Sequence, residues 1–296
     1  MIFACAMCRR ADRFSIQVPA KINLWLEVIG RRQDGYHELA TLMLPIGIYD
    51  YLEIELNESG IELCCDGQAV PNDHRNLAWQ AARLYLEEAG WKTGLLIRLE
   101  KSIPVAAGLG GGSADAAGVL LILNRICPAP MPESRLHQIA VRIGADVPFF
   151  IVRRPALCTG IGELLEIVDG VMDYPLVLIK PPVSVSTAEI FARIKLTRGQ
   201  PHIRIASLLA DPWSPNRVME NDLEVVTLGQ VPVIGEIKRW FYDHGALGAL
   251  MSGSGPTVFG VFESRGRALE VERKAQADWP DCWVKSTRVL ASQEVI

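Results

Sequence analysis

The chain of 296 residues has no surplus of positive charge: 30 lysines and arginines stand against 34 aspartates and glutamates, for a net charge of −4. It therefore lacks the basic field that would hold a phosphate backbone or an anionic membrane surface, and nucleic acid is not expected as a main partner. Long apolar runs are missing too: the longest, around Ala116 to Leu123, is far short of the roughly 20 residues that cross a bilayer. Glycine and proline, 25 and 18 residues, stay well below the roughly one quarter of composition that marks low-complexity disorder. With 49% hydrophobic residues the chain can bury a sizeable core, and its length suits two domains of roughly 150 residues or one large one.

Disulfide staples are not expected. The seven cysteines, Cys5, Cys8, Cys64, Cys65, Cys127, Cys158 and Cys282, are odd in number and scattered, the usage of a reduced, cytoplasmic protein. Cys5 and Cys8 form one C-x-x-C with no second pair at zinc-ligand spacing, so no metal site is expected from them. Arg9 and Arg10 follow the first apolar residues, the reverse of the order in a secretory signal, and no export is expected.

What is present is patterned. From Ser15 to Val28, Ile16, Val18, Ala20, Ile22, Leu24, Leu26 and Val28 share one parity, and Gln17, Lys21, Asn23 and Glu27 the other. That alternation predicts a half-buried strand. The turn pair Asp34-Gly35 and a second alternating stretch, Tyr51 to Leu56, make the opening third antiparallel β. Asn76 to Glu88 suits a helix closed by Gly90. A strand is expected at Leu95 to Leu99, a buried helix at Ser113 to Asn124, and a further helix at Ser134 to Ile143 ending at Gly144. Phe149 to Val152 reads as the start of a strand whose end is marked by Arg153-Arg154-Pro155, where a domain boundary is placed. Beyond it, Leu176 to Lys180, Ala246 to Met251 and Thr257 to Phe262 are strand-like. Ser186 or Thr187 can cap a short helix through Ile194, and Lys195 to Pro215 reads as a surface connection.

The strongest chemical signal is Pro104-Val105-Ala106-Ala107-Gly108-Leu109-Gly110-Gly111-Gly112-Ser113-Ala114-Asp115. Its glycines let several backbone N–H groups converge, and the following helix aims its positive end at the same point, which makes an anion site suited to phosphates. Ser113 can touch a phosphate or its Mg²⁺, or simply cap the helix; Asp115 reads as a first-turn acid that complements the helix dipole. No Gly-Lys-Ser/Thr follows the glycines, so this is not a Walker A loop, and Ser113 breaks G-x-G-x-x-G. The protein-kinase signatures are absent as well. Lys21 and Asn23 share a strand face that is either solvated or able to orient a hydroxyl and a phosphate. Asp146, in Gly144-Ala145-Asp146-Val147-Pro148, either caps the next turn or serves as a general base. Tyr36-His37 offers two rings for a base or sugar, or an exposed hairpin end.

Pro19-Ala20-Lys21-Ile22-Asn23-Leu24, Pro104 to Ala117, and Met251-Ser252-Gly253-Ser254-Gly255-Pro256-Thr257 resemble, in kind and order, the three motifs of the GHMP superfamily of galactokinase, homoserine kinase, mevalonate kinase and phosphomevalonate kinase. Within it, Gly30-Arg31-Arg32-Gln33-Asp34-Gly35-Tyr36-His37 and Gly144-Ala145-Asp146-Val147-Pro148-Phe149-Phe150 resemble the branch that acts on a cytidine diphosphate polyol. The likeness spans nearly the whole chain and is looser over Pro181 to Ile194.

The resemblance implies an α+β, two-domain GHMP kinase fold. Residues 1–155 would form a ribosomal-protein-S5-like ATP-binding domain, and residues 156–296 a C-terminal domain with a ferredoxin-like core. It implies transfer of the ATP γ-phosphoryl group to the 2-hydroxyl of a methylerythritol carried on cytidine diphosphate, a step of non-mevalonate isoprenoid precursor synthesis, in a cytoplasmic monomer or homodimer. By that likeness Asp146 accepts the hydroxyl proton and Lys21 steadies both hydroxyl and phosphoryl group. Pro104, Val105, Ala106, Ala107, Gly108, Leu109, Gly110, Gly111, Gly112, Ser113 and Ala114 hold the ATP phosphates, with Lys101 and Asn76 near the nucleotide. Asn23, Tyr36, His37 and Thr187 contact the cytidine substrate, with Phe191 a candidate aromatic partner. Mg²⁺ is expected to be held mainly by phosphate oxygens and water. Roughly ten residues precede the strand with which the family often begins, so Met7 as well as Met1 is eligible as the first residue. A sibling kinase of homoserine or mevalonate type, and an ATP-binding module without turnover, are the alternatives.

Overall fold

The structure, a computed structural model, describes residues 13–68, 70–194, 209–211 and 215–291. Cys5, Cys8, Met7 and most of the connection between Lys195 and Pro215 lie outside the described residues.

Two long antiparallel strands organise the chain, β1 (Arg13–Arg31) and β2 (His37–Asn57). The turn between them closes with the Arg32 N–H donating to the Tyr36 carbonyl at 2.8 Å, and Gly35 takes a φ of 90°, as Asp-Gly turn chemistry predicts. Then come β3 (Ile61–Asp66), α1 (Leu77–Ala89), β4 (Gly94–Glu100), α2 (Gly111–Ile126), α3 (Glu133–Ile143), α4 (Val147–Val152), β5 (Ala156–Gly160) and β6 (Leu164–Ile167). Asn76 caps α1 by accepting from the Ala78 N–H, and Gly90 ends it in the left-handed conformation, the start and stop expected from the sequence.

The second half runs β7 (Pro175–Lys180), α5 (Thr187–Arg193), β8 (Glu220–Asn221), α6 (Asp222–Gln230), α7 (Val233–Asp243), β9 (Gly248–Met251), β10 (Val258–Val261), α8 (Arg265–Asp278) and β11 (Trp283–Arg288). Its antiparallel sheet has the order β11-β7-β10-β9, a βαββαβ ferredoxin-like arrangement. The first sheet has the order β3-β4-β2-β1-β8, with β5 on β2 and β6 on β5. The boundary at residue 155 falls between α4 and β5, so this sheet draws on strands from both sides of it.

One core lies between the first sheet and α1 to α4, holding Leu52, Ile54, Ile97, Leu120 and Phe149. A second lies between the two sheets, where Ile22, Leu24 and Leu44 meet Leu178, Leu250 and Phe259. A third lies between the second sheet and its helices, around Ile179, Ile237, Phe241 and Val271. Among the described residues no helix is long and apolar enough to cross a membrane.

Two expectations are corrected. The stretch from Phe149 to Val152 is helical, not a strand: Pro148 sits in the first turn of α4, where its fixed φ suits a helix and its missing N–H costs nothing. β1 is not half-buried either, because Lys21, Asn23 and Glu27 are all buried. Sheet-on-sheet packing covers one face of the strand and the helices cover the other.

Candidate active site

A break in β1 places the first functional pair. The register with β2 shifts between Pro19 and Ala20, a bulge at a proline that cannot donate to the ladder. Before the bulge the even residues face the helices, as Val18 does; after it, Ala20, Ile22 and Leu24 face the second sheet. Lys21 and Asn23 are thereby turned toward the helix side, at the N-terminus of α2. Lys21, 4% exposed, donates through its ammonium to Asn23 Oδ1 at 2.5 Å, and that ammonium lies 3.6 Å from Asp146 Oδ2. Asn23 Nδ2 in turn donates to Thr41 Oγ1 at 2.8 Å, and that hydroxyl to the Trp25 carbonyl at 2.6 Å. A buried ammonium is tolerable because it is met by these oxygens. Asp146 stands at the cap position of α4 but makes no capping hydrogen bond; its carboxylate faces Lys21 instead.

The glycine-rich loop closes over the same point. Lys21 N–H donates to the Leu109 carbonyl at 3.0 Å. Gly108 has φ +76°, and a Cβ there would fall 2.2 Å from the Ser252 carbonyl oxygen. At Gly110, φ +74°, a Cβ would lie 2.6 Å from the Phe150 ring. Both positions demand glycine for backbone conformation and for close approach. Gly110 is the cap of α2 and brings no side chain to its first turn, so the N–H groups of Gly111, Gly112 and Ser113 are available to an anion. Ser113 lies inside α2 rather than capping it.

Asp115 departs from its expected role. It is 2% exposed, and Lys101 Nζ donates to its Oδ2 at 2.6 Å while also pairing with Asp50 Oδ2. Asp50 Oδ1 accepts the Ser102 and Ile103 N–H groups at 2.6 and 2.8 Å. The triad therefore staples the two ends of the glycine loop. Burial raises the Asp115 carboxyl above its ordinary range, against the pull of Lys101, and Asp50 adds to the rise. For Lys101 burial works the other way, yet Asp115 and Asp50 together leave its ammonium raised.

At the far end the rings meet. His37 stacks on Phe191 with centroids 5.2 Å apart and planes at 30°, while Tyr36, 60% exposed, stands at the hairpin tip. Burial, then the Arg31 charge, lowers the His37 pKa and so favours the neutral ring. Thr187 Oγ1 is 2.7 Å from Ser254 Oγ.

One cavity of about 830 Å³ joins these groups. Of the residues singled out from sequence, Lys21, Asn23, Tyr36, His37, Lys101, Pro104, Ala106, Ala107, Gly108, Gly110, Gly111, Gly112, Ser113, Asp146 and Thr187 line it. Asn76, Val105, Leu109 and Ala114 do not. Asn76 is occupied as a cap and donates to the Pro71 carbonyl at 2.9 Å, with Leu77 lining the cavity beside it. Asp50 and Thr41 escaped the sequence reading, because their partners lie 16 or more residues away and no local pattern marks them.

A family described as GHMP kinases N terminal domain matches residues 76–154, and one described as GHMP kinases C terminal matches residues 204–281. A 4-diphosphocytidyl-2-C-methyl-D-erythritol kinase of Syntrophotalea carbinolica is 44% identical over 268 residues, 90% of this chain and 96% of that one. One from Clostridium botulinum (strain Eklund 17B / Type B) is 42% identical over 278 residues, 92% and 99% of the two chains. The chain belongs to the 4-diphosphocytidyl-2-C-methyl-D-erythritol kinase family. A crystal structure of a 4-(cytidine 5'-diphospho)-2C-methyl-D-erythritol kinase superposes with a TM-score of 0.80 at 36% identity, covering 93% of this chain and 99% of that one. A homoserine kinase from Cytophaga hutchinsonii, at 18% identity and a TM-score of 0.74 over 99% of this chain and 98% of its own, shares the fold. The architecture is thus shared at a sequence identity of 18%.

Proposed function

We propose that the protein transfers the γ-phosphoryl group of ATP to the 2-hydroxyl of 4-diphosphocytidyl-2-C-methyl-D-erythritol, in the cytoplasm. The observation that carries this reading is the Lys21–Asp146 pair, 3.6 Å apart, in one cavity with the N-terminus of α2 and the Tyr36–His37–Phe191 rings. Asp146 accepts the hydroxyl proton. Lys21 offsets the negative charge that gathers between the attacking oxygen and the phosphoryl group. The first-turn N–H groups of α2 receive the phosphates, and the rings receive the cytosine. Phosphoryl transfer asks for positioning and charge stabilisation rather than covalent work by the protein, and these groups supply both.

Among the described residues no group of three or more His, Cys, Asp or Glu is placed to hold a metal ion. The cavity does offer the Ser113 hydroxyl and the Asp146 carboxylate. That sparse oxygen set fits Mg²⁺ arriving with ATP, held mainly by phosphate oxygens and water. When bound, the ion neutralises charge on the phosphates.

The test is Mg²⁺-dependent ADP release with three acceptors: 4-diphosphocytidyl-2-C-methyl-D-erythritol, homoserine and mevalonate. Turnover confined to the first is the expected result. Turnover with either of the others reassigns the substrate, and saturable ATP binding without turnover on any of the three overturns the kinase reading.

A further inference from the structure

β8 is only two residues long, yet the side chain of its second residue is bonded to three backbone groups. Asn221 is 5% exposed. Its Nδ2 donates to the Met251 and Gly253 carbonyls, both at 2.8 Å, while its Oδ1 accepts the Leu223 N–H at 3.0 Å and so caps α6. Nearby groups hold the same region: Glu224 Oε1 accepts the Met251 N–H at 3.0 Å, and the Thr227 hydroxyl shares its proton between the Leu223 carbonyl at 3.1 Å and the Ser254 carbonyl at 3.3 Å. The turn from Ser252 to Gly255 is thus gripped from behind.

Its front presses on the reacting groups. Ser252 Oγ donates to the Gly108 carbonyl at 2.9 Å and accepts the Asn23 N–H at 3.4 Å. Gly253 approaches so closely that a Cβ would lie 3.4 Å from Lys21 Nζ and 3.3 Å from Asn23 Oδ1. The Ser254 hydroxyl meets Thr187. A shift of the turn therefore moves the walls around Lys21, the phosphate loop and the substrate side together.

We propose that Asn221 is a positioning residue for phosphoryl transfer, fixing the Ser252–Gly255 turn against Lys21, Asn23 and Gly108. The inference rests on the kinase reading above. Helix capping alone does not explain the residue: aspartate caps as well, but only a carboxamide supplies one acceptor for the cap and two donors for the carbonyls. That distinction defines the test.

Asn221→Asp keeps size and cap and sets a carboxylate against two carbonyls. With ATP and the cytidine polyol, kcat is expected to fall about 10- to 100-fold, the scale of a small misplacement of reacting groups. KM for the polyol changes less than kcat, because Tyr36, His37 and Phe191 are untouched and the turn reaches the substrate side only through the Ser254–Thr187 contact. Amide hydrogen exchange quickens at Gly253, Ser254 and Gly255 and holds steady in α1 and β4. A folded variant with kcat within about threefold of the parent, or exchange that quickens throughout the chain, overturns the proposal. Should the variant not fold, Asn221→Ser keeps a capping hydroxyl and removes the two carboxamide donors; a kcat loss of about tenfold is expected, and kcat within about threefold of the parent with unchanged turn exchange overturns the proposal. If the parent itself shows no turnover, the kinase reading fails. The exchange readout still decides the anchoring of the turn, since unchanged exchange in Asn221→Asp rejects it.

Discussion

At one end of the cavity Lys21, Asn23 and Lys101 are buried and paired within the chain, whereas at the other Tyr36 is 60% exposed on a hairpin tip. The contrast fits the roles proposed for the two ends. Transfer of a phosphoryl group rewards geometry set before the ligand arrives, which buried hydrogen bonds and close-packed glycines provide. Recognition of a flat, polar base can be completed by the ligand, through rings that stack on it. The buried end should therefore respond to substitution in kcat, and the exposed end in KM.

The largest effect is expected from Lys21→Met, which keeps the stem and removes the ammonium: kcat falls at least about 100-fold, the scale of losing a charge-stabilising donor. Steady-state kinetics beside a thermal melt check this, and a melt within a few degrees of the parent shows the loss is chemical. Gly108→Ala comes next. Its Cβ meets the Ser252 carbonyl at 2.2 Å in a left-handed backbone, a conformation that alone costs about 1–2 kcal/mol; kcat/KM for ATP drops about tenfold or more and the melting temperature falls. Phe191→Ala sharpens the other side. Loss of the ring that stacks on His37 raises KM for the cytidine polyol about 3- to 10-fold and leaves kcat within about twofold. A kcat loss matching that of Lys21→Met would erase the distinction between the ends.

The smallest effect concerns the triad. Because burial raises the folded-state pKa of Asp115 above its ordinary value of 3.8, the folded protein takes up a proton that the unfolded chain has lost. The stability this contributes is present at low pH and lost as pH rises through the folded pKa. Asp115→Asn lacks that titration. Its melting temperature relative to the parent should therefore rise between pH 4 and 8, a trend that differential scanning fluorimetry reads directly; a falling trend contradicts the sign.

Much of both ends could be read from the sequence because its signals are local. The Asp34-Gly35 turn, the Asn76 and Gly90 helix ends and the run of glycines before α2 each carry their structural reason within a few residues. What escaped depends on distant partners. The alternation of β1 is plain, but the bulge at Pro19 that exchanges its faces, and the second sheet that buries one of them, have no local mark. Val147 to Val152 is a short apolar run that suits a strand or a helix equally, and packing of Phe149 and Phe150 against α2 decides it. Asp50 lies 51 residues from Lys101, and Asn221 lies 30 from Met251. Only the fold brings them to the site.

In the mechanism proposed, the Lys21–Asp146 end performs the chemistry on ligands held elsewhere in the cavity. Asp146→Asn tests it most directly, with calorimetric binding of a non-hydrolysable ATP analogue and of the cytidine polyol measured on the same preparation as turnover. Both affinities are expected to stay within about threefold of the parent while turnover falls by about 100-fold or more, the scale of losing a general base. Turnover within about tenfold of the parent, with binding intact, would contradict it.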